Sequence, residues 1–239
     1  MTTDDTSEQA CNQVLITART YDDYLQLFAL EPGDLLNGPV LDCPAGASDF
    51  GATVRSIGGT CTSADVLYDQ EPDELAATIN AAQDRVRRWV AGQPNRFRFT
   101  GNGDWEHDRR WQNGARHFID DYTSNRSAGA GNYVAAILPE LPFPDRSFTL
   151  VVSGSLLFSY SDKLDLNFHL MTIKELIRVC RGQVRIHPLN DRMGNPYPAL
   201  PELVAYLKEL GVDAHFRLVH SDIDPRDNST LILDLTHVP

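Results

Sequence analysis

The sequence is poor in basic residues: 21 lysines and arginines stand against 33 aspartates and glutamates, which gives a formal net charge of −12 at pH 7. A protein that holds a nucleic acid needs a basic face to neutralise phosphates. The densest basic cluster, Arg85, Arg87 and Arg88, has the spacing of a solvated helix face. We therefore expect a small-molecule ligand and no nucleic-acid partner, and leave open a site for one protein partner.

Long apolar runs and cysteine pairs are also lacking. A membrane-spanning helix needs about 18 consecutive apolar residues. No run in the sequence is that long, so no membrane partner is expected. Residues 1–9 have neither the basic start nor the apolar stretch of a secretory signal. The four cysteines, Cys11, Cys43, Cys61 and Cys180, include no C-x-x-C pair, so no metal site is expected. Unpaired thiols are typical of a reduced, cytoplasmic protein.

The length and composition predict one domain. The chain has 239 residues, of which 42% are hydrophobic and 23% charged, as in an ordinary globular protein with a full core. We predict a single domain over 1–239, with a flexible tail at 1–19 and a helical insertion at 66–132. The sequence makes no prediction about the oligomeric state.

One stretch organises the chain. The apolar residues Val40 and Leu41 end at Asp42, a turn of small residues follows, and a helix begins near Phe50. A strand, a tight turn and a helix start bring free N–H groups close to a ligand. A second short strand ends at Asp65, which lies 19 residues after Gly46. That spacing is close to the one at which nucleotide-binding folds place an acid on a ribose.

A second block lies at residues 141–153 and reads Leu-Pro-Phe-Pro-Asp-Arg-Ser-Phe-Thr-Leu-Val-Val-Ser. Together with Val40-Leu41-Asp42, Gly46 and Asp65, it resembles the class I S-adenosylmethionine-dependent methyltransferases over most of residues 35–190. The likeness is greatest to bacterial small-molecule methyltransferase-like proteins of unassigned substrate. It implies an α/β, Rossmann-like fold: a mostly parallel twisted sheet that ends in an antiparallel hairpin, here at 214–220 and 230–237.

The resemblance also implies a cofactor, S-adenosylmethionine, and residues that hold it. Asp42 is expected near the amino-acid end of the cofactor, directly or through the amides of the turn. Ala45 and Gly46 provide small backbone surface beside it. Asp65 is expected to accept hydrogen bonds from the two ribose hydroxyls, the alternative being a turn-capping aspartate. Ser153 is expected at the carboxyl end of the fourth strand, where open α/β sheets bind ligands.

Methyl transfer requires donor and acceptor in line and, for a protonated acceptor, removal of a proton. Two acid/base candidates lie near the carboxyl ends of strands four and five, Tyr160 and His187. A histidine titrates in a useful range. The alternative for His187 is a residue that is merely hydrogen-bonded at the end of its strand.

The predicted insertion holds two amphipathic helices. The first spans 72–90, and the second follows an N-cap at Asp104 and carries Trp111, Ala115, Phe118 and Tyr122 on one face. Glycines flank both helices. Because the segment joins two strands whose carboxyl ends border the cofactor pocket, we expect either a moving cap over the ligands or a rigid insertion packed outside the sheet.

The leading hypothesis is S-adenosylmethionine-dependent methyl transfer to the oxygen or nitrogen of a small-molecule acceptor. A second is a non-catalytic binder or partner protein that keeps the fold. Its basis is Pro44 and Ser48 in the glycine positions of the turn, Thr149 where relatives have aspartate, and the lack of an acid at residues 133–137 of strand three. A third is another reaction of the same cofactor, since fold does not fix chemistry.

Overall fold

The computed structural model describes residues 14–236. Its helices are α1 (Tyr21–Leu27), α2 (Phe50–Ser56), α3 (Pro72–Ala91), α4 (Asp108–Ala128), α5 (Leu166–Val179) and α6 (Leu200–Glu209). Its strands are β1 (Pro39–Asp42), β2 (Thr60–Asp65), β3 (Tyr133–Ala135), β4 (Phe148–Gly154), β5 (Cys180–His187), β6 (Asp213–Leu218) and β7 (Ser229–Asp234). Cys11 and most of the predicted tail lie outside the described residues.

All seven strands form one sheet in the order β3-β2-β1-β4-β5-β7-β6. The first five are parallel, and β7 runs antiparallel between β5 and β6. The strand order reverses between β1 and β4, which makes the carboxyl ends of these two strands a topological switch point. The predicted mostly parallel α/β sheet with a C-terminal antiparallel pair is confirmed.

Both faces of the sheet are covered, as parallel strands require. Leu41 and Val184 belong to the apolar cluster under α5 and α6, whereas Val40 and Val152 belong to the cluster under α1 and α2. Because side chains alternate along a strand, Asp42 faces the same side as Val40. This alternation decides where the acid at the end of β1 points.

The two helices of the insertion form as predicted and bury the predicted apolar faces. Leu75, Ile79 and Val86 of α3 and Phe118 and Tyr122 of α4 are buried in a third cluster. That cluster also contains Ala45 and Ala47 of the turn after β1. The insertion therefore packs over the turn, although α4 begins at Asp108, several residues beyond the predicted cap at Asp104.

The predicted apolar face of α5 is partly wrong. The sequence predicts Leu166, Leu170, Ile173, Ile177 and Cys180; Ile173 and Cys180 are buried, but Leu166, Leu170 and Ile177 are only half-buried, and the rest of the buried face is His169, Thr172, Leu176 and Val179. The error arose because His169 and Thr172 are polar. The His169 ring is instead satisfied inside the core, with Nδ1 2.9 Å from the Tyr197 hydroxyl and Nε2 3.1 Å from the Leu157 carbonyl.

Residues 14–20, here called the strap, differ from the predicted tail where the structure describes them. The N–H of Ala47 donates to the carbonyl of Thr17 at 3.0 Å, and Ala18 is buried in the cluster under the insertion. The apolar run Leu15-Ile16 explains this packing, since exposing it would leave hydrocarbon in water. Nowhere from residue 14 to residue 236 is a helix both long and apolar enough to cross a membrane.

Candidate functional site

A cleft of about 440 Å³ opens at the carboxyl ends of β1, β2, β3 and β4. This volume lies within the about 300–1,000 Å³ of small-molecule sites. Its lining combines the turn after β1, the residues after β2 and β3, the end of β4 and the strap; it includes Cys43, Pro44, Gly46, Asp65, Val66, Leu67, Ile137, Gly154, Ser155, Leu156 and Phe168. The cleft thus occupies the switch point of the sheet, where the fold places ligands.

Asp65 is the buried acid of this cleft. Its Oδ2 accepts the N–H of Gly46 at 2.8 Å, and its Oδ1 accepts the N–H of Leu67 at 3.1 Å. Burial raises the pKa of the Asp65 carboxyl, and the backbone hydrogen bonds from Gly46 and Leu67 act against that rise. The turn-capping role considered from the sequence is therefore present. Each carboxylate oxygen has two acceptor sites, so capping leaves one on each oxygen for a ligand.

Asp42 stands behind the turn instead of in the cleft wall. Its Oδ1 accepts the Tyr24 hydroxyl at 3.1 Å, and its Oδ2 is buried without a hydrogen-bond partner among the described residues. Burial raises the pKa of this carboxyl well above its usual value. The reason for its position is the strand alternation, which turns Asp42 toward α1. The contact also shows that α1 holds the end of β1 through a buried hydroxyl.

Of the residues predicted to hold the cofactor, Gly46 and Asp65 line the cleft, whereas Ala45 and Ser153 are buried behind it. The N–H of Ala45 donates to the Ala64 carbonyl at 3.1 Å and ties the turn to β2. Gly46 has a φ of 58°, and a Cβ there would lie 3.0 Å from the Thr17 carbonyl oxygen. A glycine is required at position 46 because of the conformation of the turn and the close approach of the strap.

Ser155, and not Ser153, is the serine at the end of β4 that reaches the site. Ser153 lies inside the strand, paired with Ile186. Ser155 lies one residue beyond the strand with a φ of 58°, an unusual backbone conformation for a side-chain-bearing residue. Its N–H donates to the His187 carbonyl at 2.9 Å, and its Oγ is buried without a hydrogen-bond partner in the described part of the chain.

A second, smaller cavity of about 80 Å³, here called the chamber, lies on the other side of the strap. Leu15, Thr17 and Ser155 line both the cleft and the chamber. Arg19 of the strap also lines the chamber. The other walls come from the insertion and from the loops after β4, β5 and β6; they include Trp89, Arg96, Phe97, Trp105, Trp111, Tyr160, Arg192, Asp224 and Asp227. Residues of the insertion thus form part of the chamber wall.

Tyr160 lines the chamber, but its hydroxyl is already used. It accepts the N–H of Leu15 at 2.6 Å, so the side chain anchors the strap. Burial raises the pKa of the Tyr160 hydroxyl, and the Leu15 hydrogen bond and the nearby Arg192 act against that rise. A phenol with a raised pKa is a poor general base at neutral pH. The geometry supports a positioning role for Tyr160.

His187 ends β5 and is buried. Its Nδ1–H donates to the Ser229 carbonyl at 3.1 Å, and its Nε2 has no partner among the described residues. Burial, reinforced by the charge of Arg19, lowers the pKa of His187 to about 3. The ring is therefore neutral near pH 7 and a weak base. Its geometry matches the alternative considered from the sequence, a histidine hydrogen-bonded at the end of its strand.

The cleft fits the nucleoside part of S-adenosylmethionine in two respects. The buried Asp65 carboxylate has acceptor sites left for hydroxyls, and the apolar side chains of Val66 and Ile137 flank it while 57% and 68% exposed. An adenine ring would gain from covering such surface. None of Ala136, Ile137 and Leu138, which follow β3 and line the cleft, is an acid, so the adenine amine would have to meet their backbone.

Two departures from the family pattern have structural explanations. The Thr149 hydroxyl donates to the Pro39 carbonyl at 2.9 Å and joins β4 to β1. The Ser48 Oγ accepts the N–H of Phe50 at 3.1 Å and caps the start of α2. Both residues therefore serve the fold at positions away from the cleft lining.

Sequence reasoning missed Arg19 and Ser155. Arg19 lies in the segment predicted as a tail, so nothing in the pattern drew attention to it. Ser155 was passed over because the strand end was placed two residues earlier, at Ser153. The Ser153-Gly154-Ser155 run after an apolar strand was the available signal.

No protein-family model matches the chain. Among curated proteins it is similar to the uncharacterized protein MJ0045 of Methanocaldococcus jannaschii, 29% identical over 184 residues, which are 75% of this chain and 80% of the relative. Among solved structures it is similar to S-adenosylmethionine-dependent methyltransferases from Methanosarcina mazei (16% identity, 86% and 97% of the two chains, TM-score 0.48) and Aquifex aeolicus (14%, 98% and 97%, TM-score 0.41).

Proposed function

We propose that the protein binds S-adenosylmethionine in the cleft and transfers its methyl group to a small-molecule acceptor. The observation that carries this proposal is the Asp65–Gly46 hydrogen bond at the switch point, which fixes a buried carboxylate beside a close-approach turn. The resemblance of residues 40–46, 65 and 141–153 to methyltransferases supports it. The net charge of −12 favours a small molecule over a nucleic acid.

When bound, the cofactor supplies an activated methyl group on a sulfonium. The chain's own residues would bind the cofactor and the acceptor, orient them, and exclude water. Asp65 would accept the ribose hydroxyls, Val66 and Ile137 would flank the adenine, and Gly46 would let the backbone approach. The insertion and the strap would exclude water from the acceptor. Neither Tyr160 nor His187 has the pKa of a general base, so positioning is the main contribution that this chain would make.

The alternative, a non-catalytic protein of the same fold, loses part of its support. It rested on Pro44, Ser48, Thr149 and the absence of an acid from strand three; of these, Ser48 and Thr149 have structural roles outside the cleft. A binder without activity would still hold the cofactor. Turnover, measured as release of S-adenosylhomocysteine, separates the two functions.

The test is calorimetry with S-adenosylmethionine and S-adenosylhomocysteine on the wild type and two surface variants. Ile137→Glu puts a charge on the exposed apolar wall of the cleft and should weaken binding at least tenfold, about 1.4 kcal/mol. Leu218→Glu is the matched control, because Leu218 is 84% exposed on β6 at the far edge of the sheet. Absence of binding to the folded wild type would refute the proposal.

A further inference from the structure

The chamber is lined by hydrogen-bond donors that have no acceptor. The indole nitrogens of Trp105 and Trp111 and the Nε of Arg19 are buried and without a partner in the described part of the chain, as is the Ser155 hydroxyl. All four residues line the chamber. Trp105 and Trp111 are only 7% and 6% exposed, so bulk solvent has little access to their indole nitrogens. Buried polar groups are normally hydrogen-bonded, and four such groups around one cavity indicate a ligand that accepts.

Arg19 makes this cavity suited to an anion. None of the ion pairs found within residues 14–236 involves Arg19, and its guanidinium carbon lies 5.9 Å from the centre of the Trp111 ring. The other two arginines of the chamber are paired: Arg96 with Asp224 at 2.6 Å and Arg192 with Asp162 at 2.7 Å. A half-buried guanidinium without a carboxylate is a costly arrangement that an anionic ligand would relieve.

The acidic side chains of the chamber are engaged elsewhere. Asp224 pairs with Arg96 and Arg226, and Asp191 accepts the backbone N–H groups of Met193 and Asn195, both at 2.8 Å. Asp227 accepts the Asn190 amide at 3.1 Å, and burial raises its pKa while the charges of Arg19 and Arg96 act against that rise. Within residues 14–236, none of these three acids forms an ion pair with Arg19.

We propose that the chamber binds the carboxylate of the methyl acceptor, so that the substrate is a small carboxylic acid. The inference rests on the proposed function. Two oxygens with four acceptor sites match the donors of Arg19, Trp105, Trp111 and Ser155. At about 80 Å³ the chamber holds the carboxylate and a few further atoms. Leu15, Thr17 and Ser155, which line both cavities, place the rest of the acceptor toward the cleft.

The strap argues for the acceptor over the cofactor as the source of this carboxylate. The strap lies between the chamber and the turn after β1, and none of residues 43–46 lines the chamber. A carboxylate of the cofactor would instead remain on the side of Gly46 and Asp65. Competition distinguishes the two sources. If the chamber holds the carboxylate of the acceptor, a free carboxylate binds there together with S-adenosylhomocysteine. If the chamber holds the cofactor's own carboxylate, S-adenosylhomocysteine excludes the free carboxylate.

The experiment is a titration with sodium acetate and propionate, followed by the ¹⁵N-indole resonances of Trp105 and Trp111. Acetamide and methylammonium are the neutral and cationic controls, and sodium chloride holds the ionic strength constant. Titrations are run with and without saturating S-adenosylhomocysteine. We expect saturable shifts with the carboxylates in both conditions, at least tenfold weaker binding in Arg19→Gln, and unchanged binding in Arg88→Gln, whose arginine is exposed on α3.

Several outcomes would overturn the inference: no saturable shift, equal binding of acetamide, tighter binding of methylammonium, competition with S-adenosylhomocysteine, or an unaffected Arg19→Gln. Trp111→Phe provides a second variant if Arg19→Gln does not fold; it keeps the ring and removes one donor, and the Trp105 signal reports the loss. Binding of acetate without any binding of S-adenosylhomocysteine would refute the proposed function but leave the carboxylate site standing.

Discussion

The carboxylate of Asp65 accepts the N–H of Gly46 at 2.8 Å, across 19 residues of sequence. One bond thereby joins the end of β2 to the turn after β1, and a second, from Leu67 at 3.1 Å, holds the chain that leaves β2. The acid proposed to hold the ribose is therefore also the residue that shapes the cleft. The two roles predict different responses to substitution.

Replacing Asp65 should affect both stability and binding. Asp65→Ala removes the acceptor of two buried N–H groups, so we expect unfolding free energy to fall by about 1–3 kcal/mol. It also removes the partner of the ribose, which should weaken cofactor binding by about 2–3 kcal/mol, roughly 30- to 150-fold. Thermal unfolding measures the first effect and calorimetry the second. If Asp65→Ala lost stability but bound the cofactor with unchanged affinity, Asp65 would cap the turn without holding the ribose.

Tyr160→Phe should act on the strap. The substitution removes the acceptor of the Leu15 N–H and should cost about 1 kcal/mol of stability while amide exchange in residues 14–19 becomes faster. If Tyr160 only positions the strap, the variant should lose more in KM than in turnover rate. A turnover rate lowered by about two orders of magnitude, with unaltered strap exchange, would instead assign the hydroxyl to proton transfer.

His187 should make stability depend on pH. Its pKa is about 3 in the folded protein and 6.5 ordinarily. Below pH 6.5 His187 is therefore protonated in the unfolded chain but stays neutral in the folded chain. The contribution of His187 to the free energy of unfolding is full above pH 6.5 and is lost as the pH falls toward 3. At pH 5.5 this loss amounts to about 1 kcal/mol.

The matched variant is His187→Asn, whose amide keeps a donor near the position of Nδ1. Denaturant unfolding between pH 5 and pH 8 should show a shallower acid loss in the variant than in the wild type. Comparing the two removes the contribution of the other titrating groups, His169 included. Parallel curves would mean that His187 titrates normally and is open to acid/base chemistry after all.

The fold could be predicted from the sequence because its signals are local or repeated. The apolar strand that ends at Asp42 and the apolar stripes of α3 and α4 each have a surface that must be buried. The 19-residue spacing from Gly46 to Asp65 matches the hydrogen bond that joins them. The predicted element bounds agree with the structure to within a few residues. The exception is the start of α4, which lies beyond the predicted cap at Asp104.

The site was less predictable because it depends on contacts between distant segments. Tyr160 and His187 have the residue types of acid/base groups, but the Tyr160 hydroxyl binds the Leu15 N–H, and Nδ1 of His187 binds Ser229 while burial lowers the pKa of the ring. Neither partner is near in sequence. The role proposed for Arg19 depends on the position of the strap, which places Arg19 in a cavity lined by Trp105 and Trp111. A residue's type suggests its chemistry, whereas burial and partners decide whether that chemistry is used.

Whether the insertion moves remains a prediction, and the structure shows where it is fastened. Arg55 pairs with Asp121, Arg110 with the buried Asp23 at 2.6 Å, and Arg96 with Asp224 at 2.6 Å. Gly103, Gly129 and Gly131 at the joints have positive φ values, which glycine adopts readily, and a Cβ at each would meet open space. The loop that carries Arg96, Phe97 and Trp105 forms part of the chamber wall.

Hydrogen exchange measured by mass spectrometry distinguishes a moving cap from a rigid insertion. A cap predicts fast exchange across residues 92–132 without ligand and clear protection with S-adenosylhomocysteine. Arg96→Gln weakens the fastening to Asp224 and should speed exchange in the 92–107 loop further, whereas Arg88→Gln should not. Equal protection with and without ligand, with changes confined to residues 42–48 and Asp65, would show a rigid insertion. The loops after Ser155 and His187 would then be the way into the chamber.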